Sequence, residues 1–285
     1  MKKLTFISVL VCFLCSFPGI VASDRHTGES DDIVRILAFG NSFSEDALDT
    51  YFYGVCSAAG KKVVVGNMII GGCSVDRHLL NVRVDSADYR FRRTGINGTQ
   101  ITVDKVRPSQ GMGSDSWDYV CFQQASPESG HYGSCNGLPE LIAFVDSLMP
   151  GKTRYMWHQT WAYAPHSKHP AFPAYGSDQH VMYDSIMSAC RRVLADNRSL
   201  SVLIPSGTAI QKAREKSGNP DFTRDGYHLD NIIGRYIAAC TWFEAVFGES
   251  VVGNSFVPQG LSPAEARFAQ EVAHEACLDP FGGNR

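Results

Sequence analysis

The segment Ile33-Val34-Arg35-Ile36-Leu37-Ala38-Phe39 runs directly into Gly40-Asn41-Ser42-Phe43-Ser44, and then into a helix-like stretch from about Glu45 to Ala59. The first seven residues form a mostly apolar run that reads as a buried strand. A serine at such a strand-to-helix junction carries its hydroxyl near the sheet edge and its backbone N–H near a helix start. Free N–H groups and the helix dipole at that point favour developing negative charge, which suits a nucleophile. A serine nucleophile needs a base, and Asp225-Gly226-Tyr227-His228 offers one far downstream.

Outward from this junction the pattern alternates. Strands are predicted over Lys62 to Ile70, Asp118 to Gln123, Thr153 to His158 and Ser201 to Ile204. Helices are predicted over Val75 to Val84, Leu138 to Leu148, Gln179 to Asp196, Thr208 to Ser217, Asn231 to Phe247 and Pro263 to Ala276. Strands alternating with helices of this length argue for a three-layer α/β/α fold around a mainly parallel, five-stranded sheet. Tyr89 to Val106 alternates around Asn97-Gly98, a hairpin signal that reads as an insertion into the βαβ pattern. In parallel sheets ligands bind at the carboxyl ends of the strands. Ser42, Gly71-Gly72, Gln123-Gln124 and the loop after His158 all fall at such ends.

The chain has 285 residues, 44% hydrophobic and 19% charged, with a formal net charge of −3. It shows no basic stripe of the kind nucleic-acid binding needs. Residues 1–23 read as a secretory signal: Lys2-Lys3, a short apolar run from Leu4 to Phe17, and small residues at Val21-Ala22-Ser23. Pro18-Gly19 breaks that run too early for a good membrane span, so no stable insertion is expected once the signal is removed. A lipoprotein anchor on Cys15 is disfavoured by the bulky Leu14 before it. The expectation is therefore export, to the periplasm or beyond, with residues 24–32 as a linker and 33–285 as one domain. Of nine cysteines, Cys12 and Cys15 fall in the signal. The others sit mostly among apolar residues and read as buried thiols.

Gly40-Asn41-Ser42-Phe43-Ser44 together with Asp225-x-x-His228 resembles blocks one and five of the SGNH/GDSL hydrolase superfamily. Gly71-Gly72-Cys73-Ser74 resembles its second block, and the likeness spans about Val34 to Asp230. Gly-Gly-Cys-Ser-x-x-x-His and Phe-Gln-Gln-Ala-Ser look like an exported branch of that superfamily. The resemblance implies a flavodoxin-like sheet and a Ser-His-Asp mechanism with Ser42, His228 and Asp225. It also implies an oxyanion hole from the backbone N–H groups of Ser42 and Gly72. Two positions depart from the pattern. Asn41 stands where Asp is usual, and Gln123-Gln124-Ala125-Ser126 replaces the block whose Asn donates to the oxyanion. A glutamine amide offers the same donor on a longer arm, which assigns that role to Gln123. Asn41, Gln124, His78 and Trp161 are candidates for substrate binding.

Singly, each of these features has an ordinary structural explanation: a capping serine, an Asx turn, a tight glycine turn, polar strand ends. Their joint order along the chain is what points to a hydrolase. His158, His166, His169 and His180 fit no standard metal spacing, so no metal and no organic cofactor is expected. Trp157, Trp161, Tyr163, Phe172 and Tyr175 leave two readings open, sugar stacking or packing of the loop onto the sheet. The expected activity is esterase action on acylated carbohydrate, most simply removal of O-acetyl groups from a small-molecule or glycan ester. The alternative is a glycan-binding protein of the same fold with little or no turnover. Oligomeric state is open.

Overall fold

The structure is a computed structural model, and it describes residues 32–149, 152–219 and 221–282. The signal and nearly all of the linker expected at the amino end lie outside the described residues. Among the described residues seven strands form one sheet in the order β4-β3-β2-β1-β5-β6-β7. They are β1 (Ile33–Gly40), β2 (Lys62–Ile69), β3 (Tyr89–Thr94), β4 (Gln100–Val106), β5 (Tyr119–Phe122), β6 (Arg154–His158) and β7 (Leu200–Ile204). Strands β2, β1, β5, β6 and β7 are all parallel, which is the expected five-stranded flavodoxin-like order. The hairpin β3–β4 is not a separate appendage. It pairs antiparallel with β2 and extends the sheet to seven strands.

The central strand β1 shows why the sheet is covered on both faces. Ile36 and Ala38 pack into one apolar core, while Leu37 and Phe39 pack into the other. That is the two-residue period of a strand, with apolar residues on both sides because neither face meets water. One face is covered chiefly by α1 (Ser42–Leu48), α2 (Phe52–Ala58), α7 (Ser206–Ser217), α8 (Ile233–Phe247) and α9 (Pro263–Leu278). The other is covered by α3 (Val75–Val84), the short α4 (Pro108–Met112) and α5 (Leu138–Leu148). Helix α6 (Gln179–Asp196) gives residues to both cores.

The single helix expected over Glu45 to Ala59 is two. It begins three residues earlier, at Ser42, because the Asn41 side chain caps it by accepting from Phe43 N at 3.0 Å. It stops at Asp49, whose carboxylate is drawn to the sheet side by Asn67 Nδ2 at 3.1 Å and by Arg92 Nη1 at 2.8 Å. Gly40 is required by the close approach of the new helix. A Cβ there would sit 2.2 Å from Ser44 Oγ. All seven cysteines between Cys56 and Cys277 are free thiols, and all but Cys277 are buried. Among the described residues, no helix is long and apolar enough to cross a membrane.

Candidate active site

Ser42 is the first residue of α1, so its backbone N–H has no intrahelical partner. Its Oγ lies 2.9 Å from His228 Nε2. His228 Nδ1 lies 2.6 Å from Asp225 Oδ2, and Asp225 Oδ1 accepts from the backbone N–H groups of Tyr227 at 3.1 Å and His228 at 2.8 Å. Burial alone would raise the Asp225 pKa. The hydrogen bonds from the His228 ring and the two backbone N–H groups outweigh it and hold the carboxyl below its ordinary range. The three residues that two distant motifs single out therefore meet in one hydrogen-bonded line.

The loop carrying Asp225 and His228 is anchored to the helix carrying Ser42 by Asp46, which sequence reasoning missed. Asp46 is 1% exposed. It accepts from Arg224 Nη1 at 3.0 Å to each oxygen, from Arg235 Nη2 at 2.6 Å and from Leu229 N at 2.9 Å. Its signal was a carboxylate one helical turn after Ser42, with an arginine directly before Asp225. On the other side, Trp161 stacks flat on Phe43 with ring centroids 4.3 Å apart and donates from Nε1 to Tyr227 O at 2.7 Å. Ala164 N donates to Gly226 O at 2.8 Å.

These contacts decide between the two readings of the aromatic loop. Trp157, Trp161, Tyr163, Phe172 and Tyr175 are all buried. Trp161 is thus a staple between α1 and the histidine loop rather than a stacking surface for substrate. His78 and Gln124 are corrected in the same way. His78 is buried against Phe39 and Tyr89, with Nδ1 2.9 Å from the Tyr89 hydroxyl, and burial lowers its pKa to about 3. Gln124 is buried with both ends of its amide used. Its Oε1 accepts from Val75 N and Ala125 N, and its Nε2 donates to Ser134. A polar residue at a strand end faces ligand or core with equal ease, and here the start of α3 claims it.

Asn41 and Gln123, the two departures from the superfamily pattern, touch one another. Gln123 Nε2 donates to Asn41 Oδ1 at 2.7 Å, and Asn41 Nδ2 donates to Cys73 O at 3.1 Å. The aspartate usual at position 41 has no such donor for Cys73 O. Gly72 takes a left-handed conformation with φ of +62°, and it stands exposed on the loop after β2. Beside Ser42 opens a groove of about 440 Å³, lined in part by Glu45, Gly71, Arg90, Asp104 and Lys105. The hairpin thus forms one wall of the cleft, and Arg90 is held there by Glu45 at 2.7 Å. Among the described residues no group of three or more His, Cys, Asp or Glu is placed to hold a metal.

Residues 35–276 match the family DUF4886, described as a domain of unknown function. The chain belongs to this family. A DUF4886 protein of solved structure from Bacteroides uniformis is 40% identical, with a TM-score of 0.86, the match covering 89% of this chain and 98% of that one. More distant are an acetylxylan esterase from Geobacillus stearothermophilus, solved as a catalytic mutant, and a member of the lipolytic G-D-S-L family from Veillonella parvula. The first is 11% identical with a TM-score of 0.48, covering 79% of this chain and 97% of that one. The second is 14% identical with a TM-score of 0.47, covering 76% and 99%. At these identities neither informs the reaction of this DUF4886 chain. No curated protein matches it.

Proposed function

We propose that this DUF4886 protein is an exported carboxylic-ester hydrolase that removes acyl groups, most simply acetyl, from carbohydrate. The observation that carries the reading is the line Ser42 Oγ, His228 Nε2, His228 Nδ1, Asp225 Oδ2, with spacings of 2.9 and 2.6 Å. In the proposed reaction His228 Nε2 takes the Ser42 proton as Oγ adds to the ester carbonyl. Asp225 keeps the imidazole in the Nδ1–H form and stabilises its charged state. The tetrahedral oxyanion is held by the backbone N–H groups of Ser42 and Gly72 and by the Gln123 amide. His228 then gives its proton to the leaving sugar oxygen. Water, activated by the same imidazole, releases the acid from the acyl-enzyme.

The groove supports the proposed substrate class. Its charged and polar wall of Glu45, Arg90, Asp104 and Lys105 suits hydroxyl-rich sugar better than a long acyl chain. Export rests on the signal-like residues 1–23 alone. The test is acetate release from acetylated oligosaccharides by the purified protein and by Ser42→Ala. Release that needs Ser42 supports the reading, and equal release by both sinks it. A fluorophosphonate probe separates turnover from mere glycan binding, because only an activated Ser42 is labelled.

A further inference from the structure

A second serine and histidine lie behind the first pair. His158, the last residue of β6, has Nε2 3.0 Å from Ser206 Oγ at the start of α7, and Nδ1 2.8 Å from Gln123 Oε1. Asn41, Gln123, His158 and Ser206 are each at most 2% exposed. Nothing in the proposed reaction uses His158 or Ser206 directly.

The direction of every bond in this buried chain is set from one end. Phe43 N can only donate, so the Asn41 atom it meets at 3.0 Å is oxygen. Cys73 O can only accept, so the other Asn41 atom is nitrogen. The Gln123 atom 2.7 Å from Asn41 Oδ1 must then be the NH2 group, which leaves Oε1 toward His158. An amide oxygen only accepts, so His158 carries its proton on Nδ1. Its bare Nε2 accepts from the Ser206 hydroxyl. Burial keeps the ring neutral, with a pKa lowered to about 3.

This polarity has a consequence for Gln123. Its NH2 group has two hydrogens, and Asn41 Oδ1 takes one. Among the described residues no acceptor takes the other. Gln123 packs beside Gly40, with Cδ 3.6 Å from where a Cβ on that glycine would stand, and it is bonded to the residue that caps the Ser42 helix. We propose that His158 and Ser206 are positioning residues: they lock the Gln123 amide with one N–H on Asn41 and the second presented to the oxyanion that forms at Ser42. The inference rests on the hydrolase reading above. If the lock fails, Asn41 alone holds the amide, and its second N–H is free to swing away from the oxyanion.

The test combines kinetics with a direct look at the proton. On an aryl acetate, Gln123→Ala is expected to lower kcat by about 100-fold with KM nearly unchanged, the cost of one oxyanion donor. His158→Phe approaches the same loss, Ser206→Ala loses roughly tenfold, and the double variant of Gln123→Ala with His158→Phe is no worse than Gln123→Ala alone. His158→Asn, whose amide N–H stands in for Nδ1–H, recovers much of the rate. Losses that multiply in the double variant, or an unchanged kcat in His158→Phe, overturn the proposal. Thermal melts identify any variant that fails to fold, and Ser206→Ala, the smallest change, then carries the kinetic arm. Independently, NMR of 15N-labelled wild-type protein is expected to show His158, assigned by the signal lost in His158→Asn, protonated on Nδ1 and bare on Nε2 at pH 7, the same tautomer that the proposed reaction gives His228. An Nε2–H tautomer for His158 overturns the direction of the chain. A wild-type protein that neither hydrolyses esters nor takes a fluorophosphonate sinks the hydrolase reading and Gln123's role with it, while the tautomer still judges the bond direction separately.

Discussion

Two serine–histidine pairs stand at the carboxyl end of one sheet with nearly the same spacing. Ser42 and His228 are 2.9 Å apart, and Ser206 and His158 are 3.0 Å apart. The difference lies in the third group and in the solvent. His228 leans on the Asp225 carboxylate and is only half-buried. His158 leans on an amide oxygen and is fully buried. A carboxylate stabilises the imidazolium that must form when serine gives up its proton, and an amide in a dry core does not. Spacing therefore does not make a nucleophile. In the proposed reaction the same three-part line moves a proton at one place and holds an amide still at the other.

The contrast breaks most sharply at Asp225. Asp225→Asn makes the first pair resemble the second, and the acetate-release rate is expected to fall roughly 10⁴-fold with the fold retained. Digestion and mass mapping of fluorophosphonate-treated protein sharpen the same point. Adduct is expected on Ser42, and adduct on Ser206 would erase the distinction. The open pair also depends on its anchor. Asp46→Asn leaves Arg224 and Arg235 without their buried carboxylate, and is expected to cost about 3 kcal/mol in denaturant unfolding and to lower kcat as the histidine loop loosens.

The smallest effect concerns the dry pair and the other buried histidine. His158 and His78 both titrate near 3 in the folded chain and near 6.5 when unfolded. The unfolded state therefore binds more protons between those values, so each histidine contributes stability above pH 6.5 that is lost as pH falls toward 3. Between pH 7 and 5.5 the loss is about 1 kcal/mol per histidine. Asp49, raised to about 7 chiefly by burial, contributes the opposite slope. The check is thus differential: urea unfolding of His78→Phe against wild type is expected to show a flatter acid limb by about 1 kcal/mol. An unchanged limb would mean that His78 is not held neutral.

Most of what could be read early came from local signals. The strand-to-helix junction at Ser42 and the Asp225-x-x-His228 spacing each carry their chemistry within a few residues, so they were legible together. The alternation of strands and helices was legible for the same reason, as was the parallel sheet it implies. The failures share a cause as well. His158, Ser206 and Asp46 matter because of partners 35 to 189 positions away, which no local pattern shows. His78, Gln124 and Trp161 were candidates for substrate because polar and aromatic residues near strand ends read alike whether they face a ligand or a neighbouring helix. The hairpin signal at Asn97-Gly98 was clear, but its docking on β2 depended on a free sheet edge that only the assembled strand order reveals.

The bond between Asn41 and Gln123 also bears on how this chain can be re-engineered or could have diverged. An aspartate at 41 alone, the residue usual in the SGNH/GDSL pattern that the sequence resembles, would set a carboxylate oxygen 3.1 Å from the Cys73 carbonyl, acceptor against acceptor. Restoring an asparagine at 123 alone would shorten the arm that now spans from His158 to Asn41. The two positions are tied by one hydrogen bond, so a redesign that changes either has to change both, with His158 and Ser206 reconsidered in the same step.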